Sequence, residues 1–241
     1  MTEAEWLAAT DPTPMLEFLR GKVSDRKLRL FGNACCRRIW AHLGDPRSRS
    51  IVVASERFVE DEVGADVLNR AFAEAAEARE AAHHEGGDQD ATESVLGLRG
   101  GLILSQVIEG ACESVAYLAV EEAWESIDNP QSDMGRSRDE EYEDALESGR
   151  TREKVGEAGI LRDVFGPLPF RPIAVDPSWL TSATGALARG IYEERAFDRL
   201  PVLADALEDA GCSQDEILSH CRGGGPHVRG CWVVDLVLGK A

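Results

Sequence analysis

The chain has 241 residues, of which 43% are hydrophobic, and this is enough to bury the core of one large or two small domains. No segment approaches the roughly 18 uninterrupted apolar residues of a membrane-spanning helix, and the acidic start MTEAEWLAAT is unlike a secretory signal. We therefore expect a globular, cytoplasmic protein without a membrane partner. Its 6 cysteines are too sparse for a disulfide scaffold and are expected to be reduced.

The net charge of -18 is concentrated in the middle of the chain. Residues 1–50 carry 9 basic and 6 acidic side chains, whereas residues 51–150 carry 7 basic and 25 acidic ones. A field this negative repels phosphates, and duplex nucleic acid is therefore not an expected partner. One basic group stands out, and it either forms a contact surface or pairs internally with the acidic residues: Arg26, Lys27, Arg29, Arg37 and Arg38.

Helix start signals recur through the first half of the chain and predict a helical bundle over 1–127. Thr2 and Glu5 form a capping box, and Asp45 before Pro46 is an N-cap followed by proline at the first helical position. Apolar residues at three- and four-residue spacing predict further helices. These helices are expected after Ser24, over 46–62, over 65–84, and along GLILSQVIEGACESVAYLAVEEAWESI.

The second half begins with the segment DNPQSDMGRSRDEEYED, whose proline turn and charge run predict an acidic linker at 128–138. A C-terminal helical unit is predicted over 139–241. Four prolines within GPLPFRPIAVDPSWLT exclude a helix, and 166–178 is therefore expected to be extended and to wrap the outside of this unit. The unit is expected to end in a helical hairpin. Since no alternating β-branched run is present, the predicted fold class is all-α, a multi-helix bundle.

The segment HCRGGGPHVRGCWVVDLVLG, residues 220–239, contains most of the candidate site residues. Its glycines are expected to end one helix, and Pro226 to begin the next, where exposed N–H groups would hold an anion. The candidate anion-binding residues are Arg222, Gly223, Gly224, Gly225, His227 and Arg229. Because no strand precedes the glycines and the P-loop signature is absent, a simple tight turn is the favoured interpretation.

The same segment contains a candidate metal site at His220, His227 and Cys231. His227 and Cys231 are four residues apart, a spacing that places zinc ligands on one face of a helix. Adjacent residues on a helix point about 100° apart, and therefore His220 and Cys221 do not converge easily on one ion. No cofactor is predicted, and zinc or a reactive Cys231 thiol remain alternatives.

Asp235 lies within CWVVDLVLG, a run that is apolar on every face, and is therefore expected to be buried. A buried carboxylate needs a cationic partner. We predict a structural ion pair between Asp235 and Arg229, with Arg222 or an arginine of the N-terminal helix as alternatives.

Several stretches of the chain resemble a group of uncharacterised helical proteins that is typical of planctomycete bacteria. The resemblance is carried by TDPTPMLEFLRGKVSDRKLRLF, ACCRRIW, FRPIAVDPSWL, IYEERAFDRLPVLADALEDAGC and HCRGGGPHVRGCWVVDLVLGK. It covers both ends of the chain well and the acidic middle poorly. The resemblance implies a bacterial cytoplasmic origin and a modular C-terminal segment, and it implies no catalytic residue.

These observations favour a non-enzymatic protein–protein interaction or regulatory module, because no set of catalytic residues converges in the sequence. Its acidic centre would meet a basic protein partner or mimic the charge of a nucleic acid. One alternative is a zinc-binding or thiol-dependent enzyme that uses His220, His227 and Cys231. A further alternative is phosphate or anion binding at the turn Gly223–Gly225.

Overall fold

The computed structural model describes residues 1–85, 89–98, 107, 109–116, 119–120 and 138–240. Within these ranges the chain is helical and contains no β-strand, which confirms the all-α fold class. None of the helices found there is long and apolar enough to cross a membrane. The α-helices are Glu3–Ala8, Pro12–Leu19, Asp25–Arg38, Pro46–Val59, Ala65–Glu85, Gln89–Leu96, Arg138–Phe165, Ser182–Glu194, Leu200–Asp209, Asp215–Arg222 and Trp232–Leu238.

The predicted helix caps are present in the structure. The Thr2 hydroxyl accepts a hydrogen bond from the Glu5 N–H at 3.2 Å, and the Glu5 carboxylate accepts one from the Thr2 N–H at 2.7 Å. Asp45 accepts from the N–H of Arg47 at 2.8 Å, with proline at the first helical position. These bonds satisfy N–H groups that have no partner within a helix.

Two predicted elements fall wholly or partly outside the described residues. Of the helix expected along 101–127, residues 107, 109–116 and 119–120 are described and are helical. The acidic linker predicted at 128–138 lies outside the described residues, except that Arg138 already begins a helix of 28 residues.

The chain divides into two compact units. The terminal unit comprises 1–9, 14–27 and 159–241, and the middle unit comprises 10–13 and 28–158. This division differs from the predicted one, which separated 1–127 from 139–241. Both long boundaries fall inside continuous helices, Asp25–Arg38 and Arg138–Phe165, and therefore no change in composition marks them in the sequence.

The core of the terminal unit is built by its last helices. Ile191, Leu203, Leu207, Trp232 and Val233 are among its fully or almost fully buried members. The proline-rich segment predicted to be extended over 166–178 has no regular secondary structure over 172–176, but 166–170 form turns and Pro177–Trp179 form a 3-10 helix. Its two β-branched residues, Ile173 and Val175, pack half-buried against this core. This core is thus formed by residues between Ile173 and Leu238.

Three residues of the predicted basic group, Arg29, Arg37 and Arg38, lie in the middle unit and bind other groups of that unit. Arg37 makes two hydrogen bonds to Glu56, at 2.9 and 2.7 Å, and Arg38 makes two to Glu153, at 2.7 and 2.8 Å. Arg29 is buried and donates to a backbone carbonyl at 3.4 Å. An arginine that makes two parallel hydrogen bonds to one carboxylate balances its charge and also fixes the relative orientation of the two side chains.

Glu157 is a third buried carboxylate of the middle unit, after Glu56 and Glu153, and it forms no ion pair among the described residues. It is fully buried, its Oε1 atom has no hydrogen-bond partner among the described residues, and the Cys112 thiol lies 3.8 Å from Oε2. Burial, followed by the nearby Glu153 charge, raises the pKa of Glu157 well above its usual 4.5. The folded protein therefore holds a proton on Glu157 under conditions where the unfolded chain does not.

We expect Glu157→Gln to stabilise the protein at pH 8 and to have little effect near pH 4. Below pH 4.5 the carboxyl is protonated in both states, and it contributes no pH dependence. As the pH rises, the unfolded chain ionises first, and the wild type loses stability that the glutamine variant keeps. The difference should reach about 1 kcal/mol or more, measured by urea denaturation between pH 4 and pH 8.

Glu153→Gln is the matched control, because it removes the carboxylate that Arg38 binds. This change should instead destabilise the protein at neutral pH. A loss of stability in Glu157→Gln that is equal at pH 5 and pH 8 would contradict a protonated, buried Glu157.

Candidate metal centre

Four side chains that are distant in sequence meet within the terminal unit. Asp163 lies near the end of the helix Arg138–Phe165, and His220 lies near the end of Asp215–Arg222. His227 and Cys231 lie on the connection that precedes the last helix. One ligand atom from each of these four residues can be chosen so that all lie within 4.8 Å of one another.

The four residues are close enough to interact directly. Nδ1 of His227 is 2.7 Å and Nε2 of His220 is 3.1 Å from Oδ1 of Asp163, and the same His220 nitrogen is 3.2 Å from Sγ of Cys231. The side chains of Asp163 and Cys231 are buried, and the imidazoles are 19% and 10% exposed for His220 and His227. The cluster is therefore nearly closed to solvent.

The neighbours of His227 favour a positively charged ring in the absence of a metal ion. Its Nε2 atom lies 3.2 Å from the carbonyl oxygen of Gly223, and its Nδ1 atom faces the carboxylate of Asp163. Both neighbours only accept hydrogen bonds, and a metal-free ring must therefore carry a proton on each nitrogen. Burial lowers the pKa of His227, but the hydrogen bond and charge of Asp163 outweigh burial and raise it.

Asp163 is held as a carboxylate. Burial acts to raise its pKa, but the hydrogen bonds from His220 and His227 outweigh burial, and the net effect is a lowered pKa. Its second oxygen, Oδ2, accepts from the N–H of Val228 at 2.9 Å. Oδ1 is thus the atom directed at both imidazoles.

Cys231 is a thiol in the absence of a cation. Its side chain is fully buried, and burial together with the Asp163 carboxylate raises its pKa well above its usual range. A divalent cation reverses this preference because it binds the thiolate and displaces the proton. The cluster therefore has two forms that balance its charges, one with protons and one with a metal ion.

The donor set fits zinc. Carboxylate oxygen, imidazole nitrogen and thiolate sulfur are the three ligand types that zinc takes in proteins, usually four at a time in a tetrahedron. Tetrahedral bonds to zinc place ligand atoms about 3.3–3.6 Å apart. The hydrogen-bonded pairs are 2.7–3.2 Å apart, and they would need to separate only slightly. The bond from His227 to Gly223 is typical of metal-binding imidazoles.

The backbone that carries His227 and Cys231 differs from the predicted helix. Pro226 does not begin a helix, and the last helix starts at Trp232. The N–H of Val228 is taken by Asp163, and Gly230 adopts a φ of 100°, which is incompatible with a helix. His227 and Cys231 therefore lie on an irregular connection and not on one face of a helix. The structure nevertheless brings both of them together with His220.

Asp163 is the member of the cluster that sequence reasoning missed. It is 57 positions from His220, in a helix whose first half is rich in exposed acids. Its signal was its immediate surroundings, because GILRDVF is otherwise apolar apart from Arg162. A carboxylate in such a run is expected to be buried and partnered, as was argued for Asp235.

The predicted anion-binding residues are not assembled into one site. The guanidinium of Arg222 binds Asp205 and Glu208, and that of Arg229 donates to backbone carbonyl oxygens of the helix Ser182–Glu194. The Gly223 carbonyl is used by His227. Gly224 and Gly225 are exposed, and no helix begins after them to offer a row of N–H groups.

The predicted ion pair of Asp235 with Arg229 is wrong. Asp235 is buried, as expected, but its Oδ2 atom lies 2.7 Å from both Arg26 and Lys27. Arg229 lies before the last helix and its guanidinium packs on the ring of Tyr192, 5.2 Å from the centroid. The alternative of an N-terminal arginine is the one that the structure contains.

Fold and site together define an all-α protein with a candidate Asp-His-His-Cys metal centre. Comparisons with protein-family models, with curated proteins and with solved structures found no match. The resemblance to helical proteins of planctomycete bacteria therefore stays a prediction.

Proposed function

We propose that the protein is a non-enzymatic module whose terminal unit is stabilised by one zinc ion bound to Asp163, His220, His227 and Cys231. The observation that carries this proposal is the convergence of four zinc-type ligand atoms within 4.8 Å at a nearly closed position. Without a metal ion, the buried Asp163 carboxylate is balanced by a proton on His227 and Cys231 stays a thiol, whereas a zinc ion would balance both the carboxylate and a Cys231 thiolate.

The arrangement supports a structural zinc ion over a catalytic one. Catalytic zinc has three protein ligands and an open position for water, whereas structural zinc has four protein ligands. The cluster offers four, and Asp163 and Cys231 are buried. The ion would fasten the connection containing His227 and Cys231 to the helices that carry Asp163 and His220.

The first test is the metal content of protein purified without a histidine tag. We expect about one zinc per chain, and its loss in Cys231→Ser and His227→Ala, because each variant removes one of four ligands. Cobalt should replace zinc and give a thiolate-to-cobalt absorption band that Cys231→Ser lacks. His42→Ala and Cys212→Ser, which lie outside the cluster, are the matched controls. Wild-type protein without stoichiometric metal after refolding with zinc would refute the proposal.

We further propose that the acidic surface of the middle unit binds a basic protein partner. The helix Ala65–Glu85 exposes Asp66, Glu74, Glu77 and Glu80, and several acids of the helix Arg138–Phe165 are exposed as well. A surface of one charge steers an oppositely charged partner and raises its association rate.

A peptide rich in lysine and arginine is the probe for this surface. Reversing three charges, Asp66→Lys, Glu74→Lys and Glu80→Lys, should weaken peptide binding about tenfold at low salt. The control reverses three exposed acids of the terminal unit: Glu193, Asp198 and Asp209. Equal weakening by both triple variants would show that only net charge matters, and would contradict a defined surface.

A further inference from the structure

The terminal unit contains a cavity of about 350 Å³ beside its first helix, and all of the lining residues belong to this unit. They come from the helix Glu3–Ala8, from the end of the helix Arg138–Phe165 and the turn that follows it, from the helix Asp215–Arg222, and from Trp232. The volume is within the range of about 300–1,000 Å³ that is typical of small-molecule sites. Its size therefore suits a small ligand.

The apolar part of the wall is formed by Trp6, Leu7, Pro167 and Trp232. The two indole side chains belong to residues that are only 1% and 2% exposed, and they are held in place by the surrounding core. Leu7 is 64% exposed and therefore lies where the cavity opens to solvent. Aromatic and aliphatic walls of this kind favour a ligand that has an apolar body.

Arg162 is a half-buried cation of this wall that no carboxylate in the described part of the chain neutralises. Its two hydrogen bonds both start from Nη1, and they end on the carbonyl oxygens of Trp6 at 3.4 Å and Ala9 at 2.8 Å. The N–H groups on Nε and Nη2 have no acceptor among the described residues. Burial lowers the pKa of Arg162. A guanidinium in this state favours an anion as its partner.

Glu3 and Glu216 also line the cavity, but their charges are balanced in part and screened. Arg171 makes two hydrogen bonds to Glu216 and one of 3.2 Å to Glu3. The two carboxylate side chains are 43% and 36% exposed, and solvent therefore weakens their effect on a ligand. A hydrogen bond from the half-buried Arg162 is screened less and contributes more. Arg162 therefore decides which charge the cavity prefers.

We propose that this cavity binds a small molecule with an apolar body and one carboxylate, which accepts hydrogen bonds from Nε and Nη2 of Arg162. These two donors lie on one edge of the guanidinium and match the two oxygens of a carboxylate. The apolar body lies against Trp6 and Trp232. The proposal does not depend on the metal centre, because Arg162 is not one of its four residues, although His220 belongs to both.

Calorimetric titration with three probes that share one apolar skeleton tests the proposal: 3-phenylpropanoate, 3-phenylpropanamide and 3-phenylpropan-1-amine. We expect one 3-phenylpropanoate per chain, and about tenfold weaker binding of the amide and of the amine. Arg162→Gln should weaken binding of the carboxylate about tenfold and that of the amide far less. Arg229→Gln is the matched control. Arg229 also lies in the terminal unit and donates to backbone carbonyl oxygens, but it does not line the cavity.

A second pair of variants tests the site even if Arg162→Gln does not fold. Leu7 lines the cavity and is largely exposed, and both Leu7→Glu and Leu7→Gln should therefore fold. Both changes remove the same apolar contact, but only Leu7→Glu adds a negative charge beside the ligand. Leu7→Glu should bind 3-phenylpropanoate several-fold more weakly than Leu7→Gln does, and the two variants should bind the amide equally.

Several results would overturn the proposal. The wild type could show no saturable binding of 3-phenylpropanoate, or it could bind the amine as tightly as the carboxylate. A folded Arg162→Gln variant could keep the affinity of the wild type. Equal weakening by Arg162→Gln and Arg229→Gln would show that only net charge matters. Equal binding of the carboxylate by the two Leu7 variants would place the ligand elsewhere.

Discussion

Asp235→Ala is expected to lower the free energy of unfolding by about 3–5 kcal/mol, because it leaves two cations without their shared carboxylate. Asp235 is 2% exposed, and Lys27 beside it is 9% exposed. Arg26 donates to Asp235 at 2.7 Å and to the hydroxyl of Tyr192 at 2.8 Å, and it thereby joins the segment 22–27 to two later helices. Removing the carboxylate destabilises all of these contacts together.

Urea denaturation at neutral pH measures this loss. Asp205→Ala is the matched control, because Asp205 also binds an arginine, Arg222, but both side chains are largely exposed. An exposed pair contributes about 0–1 kcal/mol, and this variant should be nearly as stable as the wild type. If the two variants lost equal stability, the buried triad of Arg26, Lys27 and Asp235 would not be the contact that joins the chain ends.

The features that were predicted correctly from the sequence are those fixed by residues close together in the chain. The capping box of Thr2 and Glu5 and the N-cap at Asp45 need only three or four residues, and their structures follow from local hydrogen bonds. The all-α class follows from apolar spacing in the same way. The burial of Asp235 was also predictable, because its neighbours on every side are apolar.

The identity of long-range partners could not be predicted, because nothing in a single sequence brings distant positions together. Asp235 required a cation, but Arg26 lies 209 positions away and Arg229 only six. The metal cluster shows the same limit. His220, His227 and Cys231 are close in sequence, whereas Asp163 becomes a ligand only through the packing of its helix. Even the nearby residues were predicted on one helix, whereas the last helix begins only at Trp232, after both His227 and Cys231.

Chelation of zinc is expected to produce the largest change in stability. A metal that binds only the folded state adds RT ln(1 + [metal]/Kd), which is about 4 kcal/mol at a concentration 1,000 times the Kd. Structural zinc in small domains supplies more than this. We therefore expect a strong chelator to lower the melting temperature of the wild type by many degrees, and added zinc to restore it.

The chelated protein should still fold, because the proton form of the cluster keeps its internal contacts. Protonated His227 remains paired with Asp163 at 2.7 Å, and Asp163 still accepts from the N–H of Val228. Asp163→Ala loses both these contacts and a zinc ligand, and it should therefore melt below the chelated wild type. Cys231→Ser loses only the ligand, and its melting temperature should not respond to the chelator. A wild type that is insensitive to chelation, or a Cys231→Ser variant that is equally sensitive, would contradict a zinc ion held by these four residues.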